Sequence, residues 1–205
     1  MNRNIKGSLC ILTATLIWGS AFVAQSVGMD YIGPFTFQAV RCLIAVIGLL
    51  PIIGIRDHFL HDGKSFIGRW ASKKLWVSGF LCSLPLVLAN NLQQIGITST
   101  DAGKSAFLTA MYIIIVPLLS IFRKQKPSRN VLVSVLIAVA GLYFLCGTGM
   151  SGFAIGDLLL LGCAFMFAVQ IVLIDMLAGS LDALRLNVIQ ALFCSVFSAV
   201  AMLLM

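Results

Sequence analysis

The residues of this chain that could bind a polar molecule are an arginine and a group of amides inside long apolar stretches. Arg41 and Gln38 are three residues apart, so on a helix they share one face. Four amides fall between residues 90 and 94, and Asn90 and Gln94 are one helical turn apart. A guanidinium fork suits a carboxylate or phosphate, and amides hydrogen-bond other polar groups. This chemistry predicts binding of a small polar or anionic solute.

The elements that must position these side chains are seven long apolar segments. At a helical rise of 1.5 Å per residue, each is long enough to cross a hydrocarbon layer of about 30 Å. They comprise residues 7–27, 34–55, 75–97, 104–122, 131–148, 156–176 and 187–205. The sequence therefore predicts an all-α membrane protein, a multi-spanning helical bundle.

The distribution of charge predicts the orientation of these helices. The net charge of +7 could suggest nucleic acid, but 12 of the 14 Lys and Arg fall at the N-terminus and in the loops 56–74, 123–130 and 177–186. Basic residues accumulate on the cytoplasmic side of membranes, and every second loop is basic here. We expect a multi-pass protein of the inner membrane with a cytoplasmic N-terminus, in contact with lipid and not with nucleic acid.

Polar side chains inside the membrane are costly, so they indicate helix contacts or a substrate path. Counted inward at 1.5 Å per residue, Arg41 lies about 10 Å deep and the amides about 5–10 Å. For Arg41 three interpretations stay open: snorkelling, an anionic substrate, or a partner acid outside this chain. The amides serve either helix packing or a cavity lining. The candidate cavity residues are Trp18, Gln38, Arg41, Asn90, Asn91, Gln94 and Tyr112.

Catalysis and cofactor chemistry are not indicated. The sequence has no evident nucleophile–base pair, metal-ligand set or phosphate-binding loop. Its six Cys lie inside the apolar segments without a CxxC pair, which favours a packing role over a metal site. We therefore expect no enzyme activity, no cofactor and no metal.

A faint internal repeat divides the chain. Gly7-Ser8-Leu9 opens the first segment and Gly156-Asp157-Leu158 opens the sixth, with five segments from one start to the next. An odd number of helices makes the second copy enter from the opposite side, which is the inverted repeat of many transporters. We expect a first repeat over residues 1–148 and the start of a second, truncated one over residues 149–205.

Motifs in a fixed order carry a family resemblance. They are Trp18-Gly19-Ser20, Pro34-x-x-Phe37-x-x-x-Arg41, the stretch 96–108 before Pro117, and Gly156-Asp157-Leu158-Leu159. The set resembles the EamA-type branch of the drug/metabolite transporter superfamily. The resemblance implies a secondary carrier of amino acids or related metabolites, with two five-helix repeats around a central cavity.

The sequence thus favours a metabolite transporter that works by alternating access in the direction of efflux. One rival is a cationic-drug exporter, which Arg41 and the lack of a deep carboxylate disfavour. Another is a non-transporting membrane subunit that depends on a partner chain. The expected partners are a small-molecule substrate, the bilayer, and either further copies of this chain or a partner membrane protein.

Overall fold

The computed structural model describes residues 3–59, 66–122, 129–146, 154–179 and 181–204, and every regular element within these ranges is a helix. A short 3-10 turn at Gly68–Trp70 precedes the third helix. The α-helices are Arg3–Gly28 (α1), Pro34–Phe59 (α2), Lys73–Ile97 (α3), Ala102–Ala110 (α4), Tyr112–Phe122 (α5), Arg129–Cys146 (α6), Ile155–Leu177 (α7) and Ala183–Leu204 (α8). The predicted all-α class is confirmed.

Six helical stretches of the described chain are long and apolar enough to cross a membrane. They are α1, α2, α3, α7 and α8 together with Ala102–Ile121, which is interrupted at Met111 between α4 and α5. The segment predicted at 131–148 falls mainly on α6, whose part Arg129–Gly141 is shorter than the other spans. The multi-spanning fold is confirmed, and the crossing by α6 stays a prediction.

Contacts between helices fix their directions. Ile53 near the end of α2 packs with Val188 near the start of α8, so these helices are antiparallel. Gly79 near the start of α3 approaches Ile189 of α8, so these two run parallel. The starts of α3 and α8, each of which has at least one basic residue in its first turn, consequently lie at one end of the bundle, as the charge pattern predicts.

The end of α3 and the start of α7 approach each other closely. A Cβ built on Gly156 would lie 2.9 Å from the carbonyl oxygen of Gly96 and 2.3 Å from Ser99 Oγ. Small residues at helix contacts allow such an approach in membranes. The outer surfaces of α1 and α2 carry exposed apolar side chains such as Leu16 and Ile44, which suit contact with lipid.

Replacing Gly156 by Ala should lower the free energy of unfolding by about 1–3 kcal/mol, the usual cost of overpacking. The neighbouring Gly96 oxygen belongs to a helix backbone and cannot rotate away. The measurement is the thermal unfolding midpoint in detergent. Gly48→Ala is the matched control, because a Cβ there meets nothing within 4 Å. An equal midpoint for both variants would contradict the close approach.

Candidate functional site

Arg41 of α2 hydrogen-bonds amide oxygens from three helices. Its Nη1 donates to Gln25 Oε1 of α1 at 2.5 Å. Its Nη2 donates to Gln38 Oε1 of α2 at 2.5 Å and to Asn90 Oδ1 of α3 at 3.3 Å. The guanidinium carbon also lies 5.8 Å from the centre of the Phe37 ring. We call Gln25, Gln38, Arg41 and Asn90 the Arg41 cluster.

The Arg41 cluster holds a positive charge among neutral acceptors. Gln25, Gln38 and Asn90 are buried and Arg41 is half-buried. The ion pairs formed among the described residues do not include Arg41. A guanidinium stays protonated in proteins, and one such charge at the bilayer centre costs about 2.5–3.5 kcal/mol on insertion scales. The amide oxygens orient this charge but do not neutralise it.

Two cysteines extend the cluster toward α8. Gln38 Nε2 donates to Cys42 Sγ at 3.0 Å and to Cys194 Sγ at 3.3 Å. Asn90 Nδ2 lies 3.5 Å from the same Cys194 sulfur. The Arg41 cluster therefore lies where α2 and α3 meet α8, and Gln25 of α1 joins it through Arg41. Among the described residues, no three His, Cys, Asp or Glu side chains converge as a metal site would require.

The other predicted amides have different partners. Asn91 donates to Ser198 Oγ of α8 at 3.1 Å, and so joins α3 to α8. Gln94 is fully buried, and its Nε2 donates at 3.4 Å to the Sδ of Met29, the residue after α1. Its Oε1 has no hydrogen-bond partner among the described residues. Gln93 donates to Thr109 Oγ1 at 3.3 Å. These amides thus hydrogen-bond neighbouring segments of the bundle, and of their buried side-chain atoms only the Oε1 of Gln94 lacks a partner among the described residues.

Trp18 and Tyr112 lie apart from the Arg41 cluster. Both line a cavity of about 200 Å³ between α1 and the α4–α5 pair. Trp18 is 51% exposed, and the Tyr112 ring centre lies 6.3 Å from that of Phe167. Of the seven predicted cavity residues, the structure thus brings Gln38, Arg41 and Asn90 into one network.

A second polar region lies at the ends of α1 and α3. It is a cavity of about 520 Å³ lined by Met29, Asp30 and Asp101 and by the hydroxyl-bearing turn 98–100. We call it the polar cavity. Lys104 also lines it and donates to Asp157 Oδ2 of α7 at 2.7 Å. The carboxylates of Asp30 and Asp101 and the hydroxyls of the turn 98–100 give the polar cavity a surface suited to water and polar solutes.

An ion-pair cluster occupies the opposite end of the bundle. Arg185 donates to Asp57 and, at 2.5 Å, to Asp182, while Arg56 donates to Asp182. Arg69 Nη1 lies 3.8 Å from Asp57. Burial raises the pKa of Asp182, but the hydrogen bonds from Arg56 and from the Arg185 backbone outweigh it, so the pKa is lower than usual. The cluster ties the end of α2 to the start of α8.

The sequence did not single out Gln25 or Cys194. Gln25 is a polar residue one turn from the end of α1, and its position within an apolar segment was the signal that could have identified it. Cys194 carries no such signal, because a buried cysteine within an apolar helix is ordinary packing. Its role in the network depends on the contact between α2 and α8.

Comparison with known proteins gives the family. Residues 5–147 match the EamA-like transporter family. An uncharacterized transporter of Archaeoglobus fulgidus is 32% identical over 175 residues, which cover 84% of this chain and 50% of that protein. YoaV of Bacillus subtilis, an uncharacterized transporter, is 25% identical over 89% of this chain and 62% of its own length. YrdR of Bacillus subtilis, also an uncharacterized transporter, is 26% identical over 74% of this chain and 47% of its own.

The chain thus spans about half the length of the curated relatives that it matches. No solved structure matches it. The family match covers most of the chain and includes the helices that carry the Arg41 cluster. The resemblance predicted from the motifs is confirmed: this multi-pass membrane chain belongs to the EamA-like transporter family.

Proposed function

We propose that the protein is a secondary transporter that exports small carboxylate-bearing metabolites, amino acids or related compounds, across the inner membrane. The observation that carries this proposal is Arg41, a charged side chain inside a membrane span whose hydrogen-bond partners are the neutral oxygens of Gln25, Gln38 and Asn90. Intramembrane ionisable residues commonly mark substrate paths. A carboxylate would supply the missing negative charge.

The geometry of the Arg41 cluster suits such a ligand. Amide oxygens hold both Nη atoms in place from three helices, so the fork is oriented before a ligand arrives. A carboxylate can accept both N–H groups in parallel, with stronger hydrogen bonds than a neutral amide provides. The incoming anion would replace Gln25 and Gln38 as acceptors, and their oxygens would turn toward donor groups of the ligand.

Alternating access is the mechanism that we propose for this site. The Arg41 cluster lies where helices of residues 1–148, the first predicted repeat, meet α8 of residues 149–205, the second. Movement of one repeat against the other would expose the cluster to each side in turn. With the N-terminus cytoplasmic, the ion-pair cluster would lie on the cytoplasmic side and the polar cavity on the outer side.

A counterflow assay tests the proposed function. The protein as its host produces it is reconstituted into vesicles loaded with α-amino acids, 2-hydroxy acids or 2-oxo acids. We expect exchange of at least one labelled carboxylate, and slower exchange of its carboxamide. Exchange of an organic cation such as tetraphenylphosphonium, without any carboxylate, would favour a cation exporter. A folded protein that exchanges neither would favour the non-transporting subunit.

A further inference from the structure

Met29 and Gln94 lie between the polar cavity and the Arg41 cluster. Met29 follows directly after α1, one helical turn beyond Gln25, and on α3 Gln94 lies one turn beyond Asn90. One turn of four residues rises about 6 Å along the helix axis. Gln25 and Asn90 both contact Arg41, while Met29 and Gln94 contact each other on the side of the cavity.

Met29 contacts both the polar cavity and Gln94. It lines the polar cavity, and its sulfur accepts the N–H of Gln94 at 3.4 Å. It also packs against the buried apolar cluster that contains Phe22 and Ile97. Methionine is unbranched and flexible, so its side chain can change rotamer without movement of the helix backbone. The contact between Met29 and Gln94 therefore lies at the wall of the polar cavity.

Gln94 carries the second observation that points to a passing solute. Its side chain is fully buried, yet its Oε1 lacks a hydrogen-bond partner among the described residues. A buried acceptor without a donor is unfavourable, and native proteins keep few of them. A water molecule or the donor group of a solute that moves from the cavity to Arg41 would satisfy this oxygen.

We propose that the polar cavity is an outer binding site for small polar solutes, and that Met29 is the residue that closes the passage from it to Gln94 and the Arg41 cluster. The transport role of this passage rests on the proposed function, but its existence does not. Cys42 and Cys194, which contact Gln38, report on access to the inner end of the passage without any transported substrate.

Thiol labelling tests the passage. The probe is 2-sulfonatoethyl methanethiosulfonate, an anionic reagent that does not cross membranes, added to intact cells and separately to inverted vesicles. Mass spectrometry gives the labelling rate of each cysteine. We expect Met29→Ala to raise the rate at Cys42 or Cys194 roughly tenfold, which corresponds to an opening free energy lower by about 1.4 kcal/mol. The increase should occur from the side of the polar cavity alone.

Three controls make the result decisive. Met166→Ala removes a partly buried methionine of α7 and should leave the rate at Cys194 unchanged. Cys163 of α7 is fully buried and should stay unlabelled in Met29→Ala. In Met29→Phe, which has a bulkier side chain at this position, Cys42 and Cys194 should be labelled more slowly than in the native protein. Equal rates in Met29→Ala, Met29→Phe and the native protein, or a parallel increase at Cys163, would overturn the proposal.

Discussion

With Arg41 replaced by Gln, we expect the concentration needed for half-maximal exchange of a carboxylate to rise about 10- to 100-fold, since hydrogen bonds to charged groups contribute about 1.5–3 kcal/mol. The carboxamide of the same compound lacks the negative charge, so the concentration needed for its half-maximal exchange should rise much less. Counterflow in vesicles measures both. The comparison isolates the interaction of the guanidinium with the carboxylate from changes elsewhere in the protein.

The stability of the same variant separates a binding role from a structural one. Arg41 is a charge with neutral partners inside a membrane span, so its replacement by a neutral amide should leave the thermal unfolding midpoint unchanged or raise it. Arg129→Gln at the exposed start of α6 is the matched control for loss of one arginine. A large loss of stability with unchanged exchange would mean that Arg41 serves packing alone.

Replacing Arg185 by Ala should lower the free energy of unfolding by about 3–5 kcal/mol, the range for breaking a buried ion pair from one side. Arg185 is 2% exposed, donates to Asp57 and Asp182, and lies over the Trp70 ring at 5.6 Å. Without the Arg185 side chain, the buried Asp57 carboxylate keeps only the longer contacts with Arg56 at 3.5 Å and Arg69 at 3.8 Å among the ion pairs of the described residues. Thermal or denaturant unfolding in detergent measures the effect.

A double variant shows whether the loss comes from the ion pair. If it does, Asp57→Asn combined with Arg185→Ala should cost less than the sum of the two single changes, with a coupling of about 0.5–3 kcal/mol. Lys73→Ala, at the exposed start of α3, should change stability by less than about 0.5 kcal/mol. Strict additivity of Asp57→Asn and Arg185→Ala would contradict the network at this end.

Hydropathy was enough to predict the helices, because a run of apolar residues long enough for a bilayer has few other structures available. It did not predict the interruption at Met111, since methionine is a good helix former. It also placed Arg185 in a loop. The structure places it in the first turn of α8, where Asp182 accepts the backbone N–H of Leu184 at 3.0 Å and begins the helix.

The site was predictable in depth but not in rotation. The spacing of Gln38 and Arg41 put them on one face, and their depth matched that of Asn90. Trp18 and Tyr112 were predicted from depth as well, yet they line a different cavity. Counting residues gives the height of a side chain along its helix. Its direction around the bundle depends on which helices pack together, and a count of residues along one helix does not give that packing.

The most direct test of the carboxylate site is nuclear magnetic resonance of the Arg41 guanidinium. The protein is labelled with ¹⁵N at its arginine side chains, and Arg41 is assigned by the signal missing from Arg41→Gln. We expect its Nη resonances to move in a saturable way when the carboxylate with the fastest counterflow is added, and to stay in place with the matched carboxamide. Resonances that do not move while exchange saturates would contradict the assignment of Arg41 as the anion site.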